Sequence, residues 1–438
     1  MSDGIASNVA NDPREKHDDA GHPVDVVISS AEAPPSPPPD GRYGWVCVLA
    51  CFCVNAFTWG VVASYGVYLS YYLSHALYPS ATSISYAFIG GLNFSIAMLL
   101  APIITIFARQ YNTRVTMILG SLLLTSGFIS ASFATKIWHL YLSQGVLVGA
   151  GVGFVSIPCI AILPQWFDKR RSLAGGISSA GSGIGGLIFS FATQAMIDNI
   201  SLAWSLRITG IVVGIMNLVA AMTIRNRNKA IKPPQRGFDL KLLRRYDVLL
   251  LLAWAFVSML GYITLLYSLS DFARSIGLNA NQASAITAFL NLGTAIGRPM
   301  IGVVSDRYGR MEVAGFITFF CGVTCFAIWL PAKSYGVTIF FAIVVGAILG
   351  VFWMTVGPIA VEVAGLVELP SLLSLSWLSI VLPTTFSEVI ALKLRRPGSG
   401  HEYLYPQIFA GLSYFVASGC MLELRRVKRK HKRHGNNP

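Results

Sequence analysis

Apolar residues recur along the chain in runs of about twenty, each long enough to cross ~30 Å of hydrocarbon as a helix, and short polar turns separate them. Twelve such runs can be drawn, near 46–70, 83–107, 115–134, 139–163, 174–196, 204–224, 248–270, 284–304, 313–330, 337–356, 371–392 and 403–422. The pattern predicts an all-α polytopic membrane protein with twelve transmembrane helices. The longest gap, RNRNKAIKPPQRGFDLKLLRRYD at 225–247, holds eight basic residues and two prolines, and it divides the spans six and six. The organisation expected is a disordered tail over 1–42, a six-helix bundle over 43–224, a basic linker over 225–247, a second six-helix bundle over 248–424 and a basic tail over 425–438.

Composition agrees with this pattern. Of the 438 residues 54% are hydrophobic and 12% charged, against roughly 25% charged in a soluble domain. A net charge of +13 raises the question of nucleic acid, but the distribution answers it. With both termini placed in the cytosol, 25 of the 33 Lys and Arg fall on inner segments, six on outer loops, and Arg207 and Arg298 inside predicted helices. That asymmetry is the positive-inside rule, and basic segments beside membrane helices read as contacts to anionic lipid rather than to nucleic acid. Lys393, Arg395 and Arg396 are the one cluster against it. Residues 1–40 carry eight acids and end in APPSPPPD, a disordered cytosolic tail by composition, with no secretory signal. Without an organelle signal, the plasma membrane is the expected location. The seven cysteines fall in or beside predicted helices with no histidine near, so they read as packed free thiols and not as a metal site. No Walker-type loop and no nucleophile–base pair is visible, so neither an ATP-driven pump, an enzyme nor a cofactor is expected. A membrane sensor is the least favoured reading.

The halves echo each other. APIITIFARQYNTR (101–114) and RPMIGVVSDRYGR (298–310) align at an offset of 197, matching Pro102 with Pro299 and Tyr111 with Tyr308. Six-helix repeats of this kind build alternating access in secondary transporters. GVVSDRYGR resembles the loop signature of the major facilitator superfamily, G-x-x-x-D-R-x-G-R, here joining helices 8 and 9. Asp306, at a cytosolic helix end, is expected to accept hydrogen bonds from Arg307 or Arg310 and from neighbouring helix N-termini, forming a conformational latch. The first-half copy, RQYNTR, lacks the acid and the glycine. DGRYGWVCVLACF (40–52) is similar to the start of helix 1 in monocarboxylate porters, normally D-G-G-x-G-W. Residues 144–187 resemble helices 4 and 5 of fungal members of that family. The resemblance spans 40–424 and implies a major facilitator fold of two pseudo-symmetric six-helix bundles. Its fungal relatives move carboxylates, riboflavin and secondary metabolites. Within 144–187, Gly145, Gly149 and Gly153, and then Gly181 and Gly185, give small helix faces suited to close packing.

Arg298 is the residue most in need of a role, since a guanidinium at a bilayer centre costs at least ~2.5–3.5 kcal/mol and no acid lies within seven residues of it. Thr287, Asn291, Thr294 and Arg298 share one helical stripe, which favours a water-lined interior. The alternative is snorkelling to the cytosolic boundary, ~9 Å below at 1.5 Å per residue. An interior Arg beside Pro299 suits a carboxylate held by two parallel hydrogen bonds. In monocarboxylate porters the helix-8 arginine is implicated in substrate or proton handling, and Arg298 matches it. The family's carboxylate four residues earlier is Thr294 here, and its helix-1 lysine falls at or near Ala63, so the mammalian-type proton mechanism lacks two charges. Further cavity candidates are Asn55, Thr58 and Tyr65 on helix 1, Tyr262 and Tyr267 on helix 7, Trp353 on helix 10, and Ser374, Trp377 and Thr384 on helix 11. Glu388, the acid clearly inside a predicted span, is the candidate proton-coupling group, with pairing to Lys393 or another outer-loop cation as the alternative. The expected function is a secondary transporter of a small, monocarboxylate-like organic anion, with coupling to protons left open. A riboflavin carrier or an exporter of a fungal secondary metabolite is the alternative.

Overall fold

In hydrocarbon every backbone polar group needs a partner within the protein, so the spanning segments are helical. A computed structural model describes residues 38–75, 77–78, 81–227, 239–396 and 398–434, and contains no strand among them. Residues 1–37 of the predicted tail, the middle of the predicted linker (228–238) and 435–438 lie outside the described residues. Helix α1 is broken into Arg42–Phe57, Trp59–Ala63 and Tyr65–His75. Helix α2 runs Ser83–Leu99 and, after a 47° bend, Ala101–Gln110. There follow α3 (Thr113–Ala131), α4 (Ile137–Trp166), α5 (Arg171–Asn199) and α6 (Leu202–Thr223). The second set holds α7 (Tyr246–Ser275), α8 (Ala280–Tyr308) and α9 (Arg310–Trp329). It continues with α10 (Tyr335–Leu349, then 351–364), α11 (366–379, then Val381–Leu394) and α12 (Leu404–His434).

Nine of the described helical stretches are long and apolar enough to cross a membrane, ten if bent α2 counts as one span. The expected twelve crossings are present nonetheless. The 60-residue stretch Tyr335–Leu394 contains two of them, because it folds back at Gly365, whose φ of 77° suits glycine. Glu362 and Glu368, either side of that turn, pair with Arg310 and Arg245 at the basic end. Helix α8 is the remaining crossing, and its polar stripe lowers its apolar content.

Without a hydrophobic drive between helices in lipid, packing depends on close approach of small residues. Gly181 and Gly185 of α5 lie against the Phe52 and Ala56 backbone of α1, and Gly149 and Gly153 of α4 against Asn93 and Ala97 of α2. A Cβ on Gly346 of α10 would stand 2.2 Å from the Leu290 carbonyl oxygen of α8. The break in α1 at Thr58 frees the Phe57 carbonyl, and buried Asn217 of α6 donates to it at 3.1 Å. At the non-basic end Arg395 holds Asp271 at 2.6 Å and Glu402 at 2.7 Å, and the Tyr403 hydroxyl donates to Asp271. Arg395 and the Gly398 N–H keep the Glu402 carboxyl below the usual carboxylate range.

The predicted basic tail differs from expectation, since through His434 it continues α12 as helix. Its charges find acids on neighbouring helices: Arg425 meets Glu312 at 2.8 Å and Lys428 meets Asp247 at 2.8 Å. Lys428 and Arg245 also both donate to the Val363 carbonyl, at 3.0 and 2.7 Å, bracing the α10–α11 turn.

Close packing at the α8–α10 contact predicts the effect of a side chain there. Gly346→Val should destabilise the purified protein by ~1–3 kcal/mol or more through overpacking, read as a lower melting temperature in detergent. Gly66→Ala, at a position with no heavy atom within 4 Å of the added Cβ, should leave melting unchanged.

Candidate functional site

Helix α5 begins without a cap of its own, since the residue before it, Arg170, makes no side-chain bond to the first turn. Its orphan N–H groups are bonded from the other half of the molecule. Asp306, near the end of α8, accepts from the Ser172 N–H at 2.9 Å and the Leu173 N–H at 2.8 Å, one on each carboxylate oxygen. A carboxylate at a helix N-terminus satisfies the free donors and meets the positive end of the helix dipole. Arg310 completes the contact, reaching Asp306 at 3.5 Å, Glu362 at 3.2 Å and the Asp168 carbonyl at 2.5 Å. Gly309, at φ 106°, makes the turn that brings Arg310 round. Arg307 does not take part: it is exposed and lies over the Tyr308 ring. One turn further on a helix would bring an Arg back to Asp306, and Arg310 occupies that place. The basic end is thus closed across the α5–α8 seam.

The same seam carries Arg298. Gly176 and Gly183 let α5 approach the α8 backbone so closely that a Cβ would fall 2.5 Å from the Arg298 carbonyl and 2.7 Å from that of Asn291. The Arg298 side chain, 6% exposed, does not snorkel. Its NH1 donates to the Ser179 carbonyl at 2.7 Å and the Ser182 hydroxyl at 2.8 Å, both on α5. Its Nε has no protein acceptor, and no carboxylate among the described residues pairs with it. The Nε–NH2 edge faces the break between the two segments of α10, where Gly350 leaves room; a Cβ there would lie 2.3 Å from Nε. The Tyr262 hydroxyl stands beside both the guanidinium and Trp353.

Around this charge is an aromatic group. Trp353 and Trp377 stack at 5.8 Å and 15°. Tyr262 meets Trp353 at 6.0 Å, and Trp59 meets it from the first half at 5.8 Å. The indole N–H groups of Trp353 and Trp377 are buried without an acceptor. The Arg298 Nε and the Trp377 indole N–H lack acceptors, the Tyr262 hydroxyl lies between the guanidinium and Trp353, and the aromatic faces supply apolar contact.

The other sequence candidates fall elsewhere. Thr294 donates to the Leu290 and Gly346 carbonyls, both at 3.1 Å, so its hydroxyl is occupied in the α8–α10 contact. Asn55 is occupied likewise, donating to the Cys51 carbonyl and Ser178. Both have stripe neighbours that face the partner half, yet their own polar atoms serve helix packing. Asn291 lies against Gly186 of α5. The Tyr65 hydroxyl donates to the Tyr86 carbonyl at 2.9 Å, while Tyr267, 38% exposed, stands within electrostatic reach of Tyr262, Glu388 and Tyr65. Glu388 accepts from the Ser268 hydroxyl at 3.1 and 3.2 Å, and no cation among the described residues pairs with it. Lys393 is exposed, and Arg395 is bound to Asp271 and Glu402. Sequence reasoning missed Ser179, Ser182 and Gly350; the two serines sat within a small-residue stripe, and nothing in the sequence marks Gly350.

The trans-capping geometry predicts that Asp306→Ala removes both bonds to α5 and shifts the balance toward a state open at the basic end. Thiol reagents applied from each side to cysteines placed along the seam would measure the shift. Unchanged accessibility with normal transport would show that the contact does not hold the gate.

The comparisons with known proteins agree with this architecture. The model of the Major Facilitator Superfamily matches residues 48–380. The chain is 35% identical over 394 residues to the Saccharomyces cerevisiae protein named Probable transporter MCH2, covering 88% of this chain and 83% of that protein. It is 27% identical over 430 residues to the Fujikurins efflux protein of Gibberella fujikuroi, covering 98% and 92%. Its fold matches that of the E. coli Fucose:proton symporter FucP with a TM-score of 0.66 at 14% identity, covering 87% and 99%. With twelve crossings, the loop signature in its trans-capping role and a family match over most of its length, the chain belongs to the Major Facilitator Superfamily.

Proposed function

We propose that the protein is a secondary transporter of a small organic anion, a monocarboxylate with a planar or ring-bearing apolar part. The bundles over 43–224 and 248–424 rock about the Arg298 level to give alternating access. One observation carries the reading: a buried guanidinium with no acidic partner among the described residues has its Nε without an acceptor and stands beside the Tyr262 hydroxyl and the Trp353 ring. An unpaired guanidinium N–H is completed by an acceptor, and a carboxylate offers two oxygens to an arginine. The Trp353–Trp377 stack favours a ring on that anion. Export of a secondary metabolite is the second reading, supported by similarity to a protein named for fujikurin efflux. The basic end is read as cytosolic from the lysine and arginine distribution, and the plasma membrane is the expected location for want of an organelle signal.

Proton coupling is assigned to Glu388. It accepts from Ser268, with Tyr267, Asp271 and Tyr403 as ionisable neighbours and no paired cation among the described residues.

Uptake and efflux in reconstituted vesicles, with an imposed pH gradient and a panel of carboxylates, riboflavin and fungal metabolites, tests the class. Arg298→Lys should raise KM about tenfold through loss of two-point binding, and Arg298→Ala should abolish transport, both at normal membrane levels. Normal transport by the alanine variant would refute the anion site. Glu388→Gln should keep substrate exchange yet lose accumulation driven by the pH gradient. If that variant still concentrates substrate, coupling lies elsewhere.

A further inference from the structure

Arg298 belongs to the second half, but its NH1 is bonded to the first. The Ser182 hydroxyl donates to the Ser179 carbonyl at 2.9 Å, which turns its lone pairs toward NH1. NH1 therefore sits in a two-point cradle on α5, formed by Ser179 and Ser182. This fixes the guanidinium plane and leaves Nε, packed beside Gly350, as the N–H without a protein acceptor. The cradle exists because the α5–α8 seam is closed. Opening the cytosolic, basic end withdraws α5 from α8, and the cradle is lost with it.

We propose that Ser182 is a positioning residue that sets Arg298 for its anion only while the cytosolic end is closed, so that the carrier grips its anion more tightly from the outer face than from the cytosolic face. The proposal rests on the reading of Arg298 as the anion site. With the cradle in place, the guanidinium is pre-oriented and the anion meets an ordered edge. With the cradle gone, the same side chain must be ordered by the anion itself, and that loss of rotamer freedom weakens binding. The affinity difference favours capture outside and release inside.

The test uses proteoliposomes of known sidedness and radiolabelled phenylacetate. Ser182→Ala should raise the KM measured from the outer face about tenfold, the size of a hydrogen bond to a charged group, and leave the cytosolic KM at its wild-type value. Ser182→Thr, which keeps the acceptor oxygen, should restore the outer KM. A rise equal on both faces, or on neither, overturns the proposal. Arg298→Lys separates this from the underlying reading: no change in KM on either face removes the anion site itself, whereas a raised KM beside an indifferent Ser182→Ala removes only the positioning role. A measurement without any anion decides if phenylacetate is not carried. In a cysteine-free background, Ser305→Cys places a thiol at a position buried in the closed seam beside Ser172. Adding Ser182→Ala should then speed its maleimide labelling from the cytosolic face, and an unchanged rate overturns the proposal.

Discussion

Helix α5 leaves its first-turn N–H groups without a local cap, and among the described residues the carboxylate bonded to them comes from the other half of the molecule. Orphan donors at a helix start must be met by something, and here two of those of α5 are met by α8 docked against it. The rest of the arrangement depends on this. Docking brings glycine-bearing α5 onto the α8 backbone, and that approach places Ser179 and Ser182 within reach of Arg298. A surface ion pair could have joined the ends, but it would be worth little. A shared helix cap ties the state of the gate to the integrity of a helix.

The central charge and the central aromatics complement one another. Arg298 carries the desolvation cost of an arginine in a bilayer, and two α5 oxygens offset part of it. The remaining donors, on Arg298, Trp353 and Trp377, lie close to flat apolar faces.

The number of crossings and the helix end that carries Asp306 and Arg310 could be read from the sequence because both rest on local chemistry. Hydrocarbon thickness sets the length of the runs, and the Asp306–Arg310 spacing sets a helix end. Even so, α8 crosses with a polar stripe, and α10 and α11 fold back at a single glycine inside one long apolar stretch. The site was only partly legible. Periodicity puts Thr294 and Arg298 on one face, but it does not say which neighbour that face meets. Thr294 meets a carbonyl of α10 and Arg298 a carbonyl of α5. The basic C-terminal residues read as contacts to anionic lipid, and the acids that Arg425 and Lys428 meet, Glu312 and Asp247, are distant in sequence.

The repeat offset that aligns Tyr111 with Tyr308 places Arg109 where the second half has Asp306. The α2–α11 seam therefore has no counterpart of the carboxylate cap. It is joined by the Thr105–Ser374 hydroxyl contact at 2.7 Å and contains a cavity of about 40 Å³ lined by Thr105, Arg109, Pro370 and Leu373. Two seams that look symmetric thus answer to different agents. Hydrostatic pressure acts on void volume and bears on the seam that holds the cavity, while the capped seam answers to the loss of a single carboxylate, Asp306.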